Sequence, residues 1–302
     1  VRRTGTIVKR TSGDKVFDGV NVFLMIVLIF ITLYPFWYCL VGSFNHGGDY
    51  SKGGVYFWPR VFTLENYKAV FQQNDVISAY TITILRTLIG TIGGVFLNAL
   101  FTYGFSRKIL KGRSIYAVIG LGTLYFQPVI ISQYILYSSL GLIDNFLVYI
   151  LPHLVNFYYV LIMQAFYRTI PDSINESAMM DGASEYRIFF SLILPLSKPM
   201  LATIALFIGV FHWNEFRDSM MFTQSDSLQT IQVYLMRIVR IGEAAAQIAE
   251  EMGGGMEELE QAMSTKTVQL ATMMITTIPI LLIYPFLQRY FVKGIMIGSV
   301  KG

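Results

Sequence analysis

The sequence predicts an all-α membrane protein with six transmembrane helices. Three observations predict it. Charged residues make up 14% of the 302 residues and hydrophobic ones 54%, with a mean hydropathy of +0.53. A soluble domain carries about 25% charge, so a surface this poor in charge implies lipid as part of the solvent. Six apolar segments also stand out, each with room for about 20 residues, the length at which a helix crosses about 30 Å of hydrocarbon. Finally, Lys and Arg are shared very unequally between alternate loops.

In order, the segments are Gly19 to Phe44, Val76 to Phe105, Ser114 to Tyr137, Phe146 to Tyr167, Pro199 to Phe222 and Thr267 to Gln288. They are too long and too little alternating for barrel strands. The second contains a single charge, Arg86, and a cluster of small residues, Gly90, Gly93, Gly94, Ala99 and Gly104. Small residues let helices approach closely in lipid. The fifth is interrupted by Glu215, Arg217 and Asp218. The first follows Arg2, Arg3, Lys9, Arg10 and Lys15, and its apolar run is too long for a cleaved leader, so a retained signal anchor is expected.

Counting loops on one side gives fifteen Lys and Arg, in the amino-terminal segment, Ser106 to Arg113, Arg168 to Lys198 and the tail from Arg289. The opposite loops hold six: Lys52, Arg60, Lys68, Arg237, Arg240 and Lys266. Both termini are therefore expected in the cytoplasm. Of the outer loops, Asn45 to Asp75 is rich in Gly and aromatics. Residues 223–266 form a long, acidic outer loop in which Ile241 to Ile248 and Met256 to Met263 read as short amphipathic helices separated by Gly253, Gly254 and Gly255. This loop is either a solvated cap or a docking surface for an extracellular partner.

Several chemistries find no support. Cys39 is the single cysteine, so it forms no internal disulfide and reads as packing. His46, His153 and His212 lack metal-ligand spacing. There is no phosphate-binding Gly-x-x-x-x-Gly-Lys-Ser/Thr loop and no nucleophile elbow. Basic residues flank apolar runs instead of lining one polar face, which argues against nucleic acid. No enzyme site, metal site or cofactor site is expected on this chain.

The most informative stretch is the loop 171–199. Ser173 and Glu176 have capping-box spacing and start a helix. Gly182 suits a helix end that needs positive φ. Ser184 can cap a second helix, which Pro195 and Pro199 end before the fifth span. The product is a compact helix–turn–helix between two spans, shaped to enter a cleft on a soluble partner.

Here a resemblance becomes specific. Glu176-Ser177-Ala178, three residues, Gly182, nine residues and Leu192-Ile193-Leu194-Pro195 resemble the EAA loop of bacterial binding-protein-dependent ABC importer permeases. The family pattern reads Glu-Ala-Ala, three residues, Gly, nine residues, Ile-x-Leu-Pro, and this chain departs at Ser177 and Leu192. Pro59 to Tyr67, Tyr103 to Arg107, Trp213-Asn214-Glu215-Phe216 and the tail Tyr290 to Gly302 are similar to stretches of maltose-type carbohydrate permeases, so the resemblance covers nearly the whole chain. Arg86 stands where many of them carry Asn. Phe17 to Asn21 and the Tyr-Pro-Phe motifs at Tyr34 and Tyr284 lean towards the polysaccharide-type, LplC-like branch.

The resemblance implies a type I importer permease fold in which residues 1–75 hold the amino terminus, first span and outer loop, 76–292 the importer transmembrane domain, and 293–302 a cytoplasmic tail. It implies a sugar or oligosaccharide moved into the cytoplasm by alternating access. The partners would be a second homologous permease forming a heterodimer, two ATPase subunits and an extracellular solute-binding protein. ATP and Mg would sit on the ATPases. The EAA coupling helix, with Glu176, Ser177, Ala178, Asp181, Gly182, Ala183, Leu194 and Pro195, would enter an ATPase cleft, and Gly298 and Lys301 of the tail would reach the same interface. The expected location is the bacterial inner membrane.

For the solute, sugars bind aromatic faces together with amides or carboxylates. Candidates are Arg86, Gln127, Gln133, Tyr134, Asn156, Trp213, Asn214 and Glu215, with Tyr34, Trp37 and Tyr158. The aromatics serve equally as interface anchors or packing, and the amides as bonds between helices. Arg86 has four readings: partner to an acidic solute, wall of a wet cavity, salt bridge to Glu215, or snorkelling to the outer surface. Two rival functions remain. One is an ion- or proton-coupled secondary transporter using His212, Glu215, Arg217 and Asp218. The other is a membrane assembly protein without transport. An ABC permease for a non-sugar solute would share the EAA loop.

Overall fold

The structure, a computed structural model, describes residues 12–72, 74–126, 128–251, 265–283 and 285. Gln127, the 256–263 segment, Tyr284 and the tail with Gly298 and Lys301 lie outside the described residues. In chain order the helices are α1 (Ser12–Ser43), α2 (Gly47–Tyr50), α3 (Glu65–Phe71), α4 (Asn74–Ser106), α5 (Arg113–Tyr125), α6 (Ile130–Ser139), α7 (Phe157–Tyr167), α8 (Asp172–Met180), α9 (Glu185–Ile188), α10 (Leu194–Leu196), α11 (Lys198–Asn214), α12 (Arg217–Phe222) and α13 (Ile231–Glu251), followed by α14 (Thr265–Ile283). A π-turn, Phe189–Ile193, joins α9 to α10. Among the described residues there is no strand, only one antiparallel bridge between Asn45 and Phe62.

Three of these helices, α1 from Gly13, α4 from Asp75 and α14, are long and apolar enough to cross a membrane, and the number rises to six if each of three bent pairs is one span. Bends and breaks divide three of the expected segments. The third segment turns by 118° between α5 and α6, a stretch that contains Pro128, which has no N–H to offer a helix. The fourth begins as 3₁₀ turns, Phe146–Tyr149 and Leu151–His153, and bends by 46° before α7. The fifth ends its long helix at Asn214 and resumes at Arg217. In the expected outer loop, residues 223–266, the short helix Ile241 to Ile248 is instead part of the 21-residue α13.

The chain divides into two compact units: the described parts of Val1–Val70 with Ile241–Met274, and of Phe71–Arg240 with Ile275–Gly302. In the first unit, α1 runs 32 residues through Pro35. None of its spanning window is buried within the chain. The end of α1 is tied by side-chain amides. Asn66 Nδ2 donates to the Ser43 and Asn45 carbonyls at 2.8 and 2.9 Å. Thr267 Oγ1 donates to Asn66 Oδ1 at 2.9 Å, and the Tyr67 hydroxyl lies 2.7 Å from Ser43 Oγ. The Pro59 to Tyr67 signature is therefore a fastening that satisfies the orphan carbonyls at a helix end.

In the second unit, α4 is the axis against which α7 and α11 pack. The core comprises Ala99, Met163, Ile188, Phe189, Ile204 and Ile208. The glycines of α4 behave as expected at the closest approaches. A Cβ on Gly90 would stand 2.3 Å from His212 Nε2, one on Gly93 3.0 Å from Leu154 Cδ2, and one on Gly94 3.1 Å from Ile208 Cδ1. Gly104 faces open space. Gly90→Ala is accordingly expected to destabilise the folded protein by about 1–3 kcal/mol, the usual cost of overpacking. Thermal unfolding in detergent checks this, and His212→Ala in the same background is expected to recover most of the loss.

Candidate functional site

The helix–turn–helix of loop 171–199 forms as a unit. α8 starts at Asp172, directly after Pro171, and no side chain caps it. The expected Ser173–Glu176 capping box does not form, because the helix already starts at Asp172 and Ser173 lies inside its first turn instead of at the N-cap. The helix closes in a Schellman motif: Ala183 N donates to Ala178 O at 3.0 Å and Gly182 N to Met179 O at 3.0 Å, with Gly182 at φ +78°. Ser184 Oγ then accepts from Arg187 N at 3.3 Å and caps α9. The second helix runs on through the π-turn and α10 to Ser197, where the chain bends by 81° into α11. Pro199 lies in the first turn of α11, where its missing N–H costs nothing.

Two ion pairs bind this motif to the loop after α4. Arg107 Nη2 lies 2.8 Å from Glu185 Oε1, and Lys108 Nζ lies 2.7 Å from Asp172 Oδ2. Tyr103 donates its hydroxyl to Glu185. The Lys108 hydrogen bond and charge hold the Asp172 carboxyl below the usual carboxylate range. Beside α8 lies a cavity of about 510 Å³ lined in part by Arg107, Lys108, Arg168, Glu176 and Met179. On the outer face of the motif Met180 is 88% exposed and Tyr186 73%. Together these are an apolar tip on a charged, anchored base.

The second constellation surrounds the break in the fifth span. Arg86 is 1% exposed. Its Nε and Nη2 donate to the His212 carbonyl at 2.8 and 2.5 Å, and Nη2 also donates to the Glu215 carbonyl. Its guanidinium lies 5.0 Å from the centroid of the Tyr149 ring and 3.8 Å from the Glu215 carboxylate. The last carbonyls of α11 have no helical partners and carry the negative end of its dipole. Broken backbone at membrane depth survives only where protein satisfies it, and Arg86 does so here. Glu215 in turn caps α12, accepting from Arg217 N at 2.9 Å and Asp218 N at 3.1 Å. Asp218 pairs with His153 Nε2 at 2.6 Å.

A comparable break before α7 is held by Asn98, whose Nδ2 donates to Leu154 O at 3.0 Å and whose Oδ1 accepts from Asn156 N at 3.0 Å. Nearby, Asn156, Phe157, Gly120 and Thr123 line a second cavity of about 760 Å³.

The chain is 33% identical over 96% of its length to the polygalacturonan/rhamnogalacturonan transport system permease protein YtcP of Bacillus subtilis (strain 168), covering 99% of that protein. It belongs to the permease subunits of carbohydrate ABC importers. It is also 32% identical to Protein LplC of Bacillus subtilis (strain 168), covering 97% of each chain. An arabinooligosaccharides transport system permease protein, AraQ of Halalkalibacterium halodurans, is 27% identical over 91% of this chain and 93% of its own. Among solved structures, a chain of a bacterial ABC transporter involved in the import of the acidic polysaccharide alginate superposes with a TM-score of 0.82 at 26% identity, covering 93% of this chain and 99% of that one. No family model matches the chain. The protein is thus a multi-pass permease of the inner membrane with the fold of that importer.

Within this permease the candidate passage residues separate into two groups. Arg86 and Glu215 are locked at the break, so Arg86 does not snorkel and its bridge to Glu215 is the reading that fits the geometry. Trp213 is 7% exposed and donates its indole N–H to Thr276 O at 3.1 Å. Asn156 caps α7 through Tyr158 N at 2.9 Å. All four have hydrogen-bond partners within the protein. Asn214 and Tyr134 are exposed and Gln133 is half-buried. In the first unit Trp37 donates to Phe57 O at 3.0 Å and the Tyr34 ring lies tilted against Phe57 at 5.9 Å, folding the aromatic loop back onto α1. Asn98, His153 and His212 were not legible from the sequence as parts of either break. The one available signal was that each is polar within an apolar run, where a polar group needs a partner.

Proposed function

We propose that this permease forms one half of a passage for acidic oligosaccharides of the galacturonate class, driven by ATPases on other chains. The observation that carries the coupling role is the α8–turn–α9 unit, anchored by two ion pairs and ending in an apolar tip. A lever must transmit force, so it needs a rigid base and a separable tip. α8 seats in a cleft of an ATPase subunit, and both termini lie on the cytoplasmic side with it, as the loop charges require. A second, homologous permease completes the passage, and an extracellular solute-binding protein delivers the sugar. ATP and Mg act on the ATPase chains, and this chain supplies two conformations and the link between them. The acidic-sugar class is supported by what the YtcP-type relative and the alginate importer carry.

Cross-linking tests the coupling role. In a Cys39→Ser background, Ser177→Cys is expected to cross-link to a cysteine placed in the ATPase cleft, in membranes that retain uptake. Full uptake with no cross-link at any cleft position would remove the assignment. The secondary-transporter reading would instead show uptake that survives ATP depletion and collapses with the proton gradient.

A further inference from the structure

The three charges at the break of the fifth span face different ways. Glu215 caps α12 and stands beside Arg86. Asp218 is 5% exposed and bonded to His153. Arg217 alone of the three turns outward, with its side chain 52% exposed. Its Nε lies 3.9 Å from Glu215 Oε1, an oxygen already engaged by the Arg217 backbone N–H. Its charge is therefore only weakly answered from within the described residues.

An exposed guanidinium here has few tolerable surroundings. It follows the 17 residues of α11, about 25 Å of helix, against about 30 Å of hydrocarbon. A charge within a span faces a bundle interior or a water-filled cavity, because facing lipid is costly. The neighbouring exposed side chains are Asn214, Phe216 and Phe211. A guanidinium, an amide and aromatic faces together match a uronate: the guanidinium forks onto a carboxylate, the amide meets hydroxyls and the rings cover the apolar sugar face.

We propose that Arg217 is a specificity-determining residue of the passage, pairing with the carboxylate of an acidic sugar unit as it moves past the break in the fifth span. This rests on the acidic-oligosaccharide reading above. It also reverses the more obvious assignment, since Arg86 is 1% exposed, with Nε and Nη2 held by backbone carbonyls and Glu215 beside it.

The test uses the complete importer, both permeases, ATPases and binding protein, reconstituted in proteoliposomes with trigalacturonate as the probe. Two quantities are read: uptake, and stimulation of ATP hydrolysis by the loaded binding protein. Arg217→Gln is expected to lower uptake about tenfold or more, the scale of a lost charged hydrogen bond, while ATPase stimulation stays near wild type. Arg217→Lys is expected to retain a substantial part of uptake, because it keeps the charge. Loss of uptake and stimulation together would overturn the proposal and assign Arg217 to contacts between subunits. Unchanged uptake in Arg217→Gln would overturn it alone, leaving the acidic-sugar reading intact. A wild-type importer that takes up neutral oligosaccharides but no trigalacturonate would sink the acidic-sugar reading, and this proposal with it.

Discussion

Gly182→Val is expected to abolish stimulation of ATP hydrolysis by the loaded binding protein while the permease still inserts and assembles. Gly182 ends α8 at φ +78°, and an added Cβ would meet nothing within 4 Å. The cost is therefore conformational and not steric. A β-branched residue in the left-handed region is strained by roughly 1–2 kcal/mol, too little to unfold a bundle. It is enough to open the Schellman turn, in which Ala183 and Gly182 satisfy the last carbonyls of α8. The angle between α8 and α9 would then change and the lever would lose its shape. Gly182→Asn is the control, since Asn tolerates this region, and it is expected to keep most of the stimulation. ATPase assays on the reconstituted complex, with membrane abundance measured in parallel, check both. Equal loss in the two variants would mean that the side chain, not the backbone, is at fault.

Arg86→Leu is expected to destabilise the permease by about 3–5 kcal/mol, the range for removing one partner of a buried ion pair. Arg86 meets the His212 and Glu215 carbonyls and the Glu215 carboxylate at a site 1% exposed. Leucine fills part of the volume but leaves two carbonyls unpaired and the Glu215 carboxylate without its buried cation, with only two N–H groups and the half-exposed Arg217 to answer it. Arg86→Lys keeps the charge without the planar fork, so an intermediate loss is expected. Adding Glu215→Gln to Arg86→Leu removes the stranded charge, and the double variant is expected to be more stable than Arg86→Leu alone. Thermal unfolding and expression in detergent report the series. A near-neutral Arg86→Leu would show that the break in the fifth span is held by other contacts.

The two predictions differ in how far the sequence anticipates them. Gly182 was legible because positive φ after a short helix is a local property, set by a few neighbouring dihedrals. Ser184 was legible for the same reason, and the α4 glycines at 90, 93 and 94 followed from composition alone. The capping box at Ser173 and Glu176 was misread because the pattern fits two start positions and Pro171 decides between them. Sequence alone leaves Arg86 four readings. Its partners lie 126 and 129 residues away in sequence, and no local rule reaches that far. The breaks in the third, fourth and fifth segments were hidden for a related reason. Hydropathy sums over a window and responds to length, whereas a bend depends on whether distant donors satisfy the freed carbonyls.

By itself, then, the sequence determined that this chain lives in a membrane, how many apolar segments it carries, and that one loop makes a helix–turn–helix. Each follows from short-range quantities: transfer energy per residue, charge per loop, and the preferences of Gly, Ser and Pro. Only the tertiary structure decided which polar side chains are bound within the bundle and which stay exposed. Arg86, Glu215, Asn98 and Asn156 are bound to backbone that the spans leave open, and Arg217 is not. Burial and partner geometry separate them, and these come into being only when segments far apart in the chain pack together.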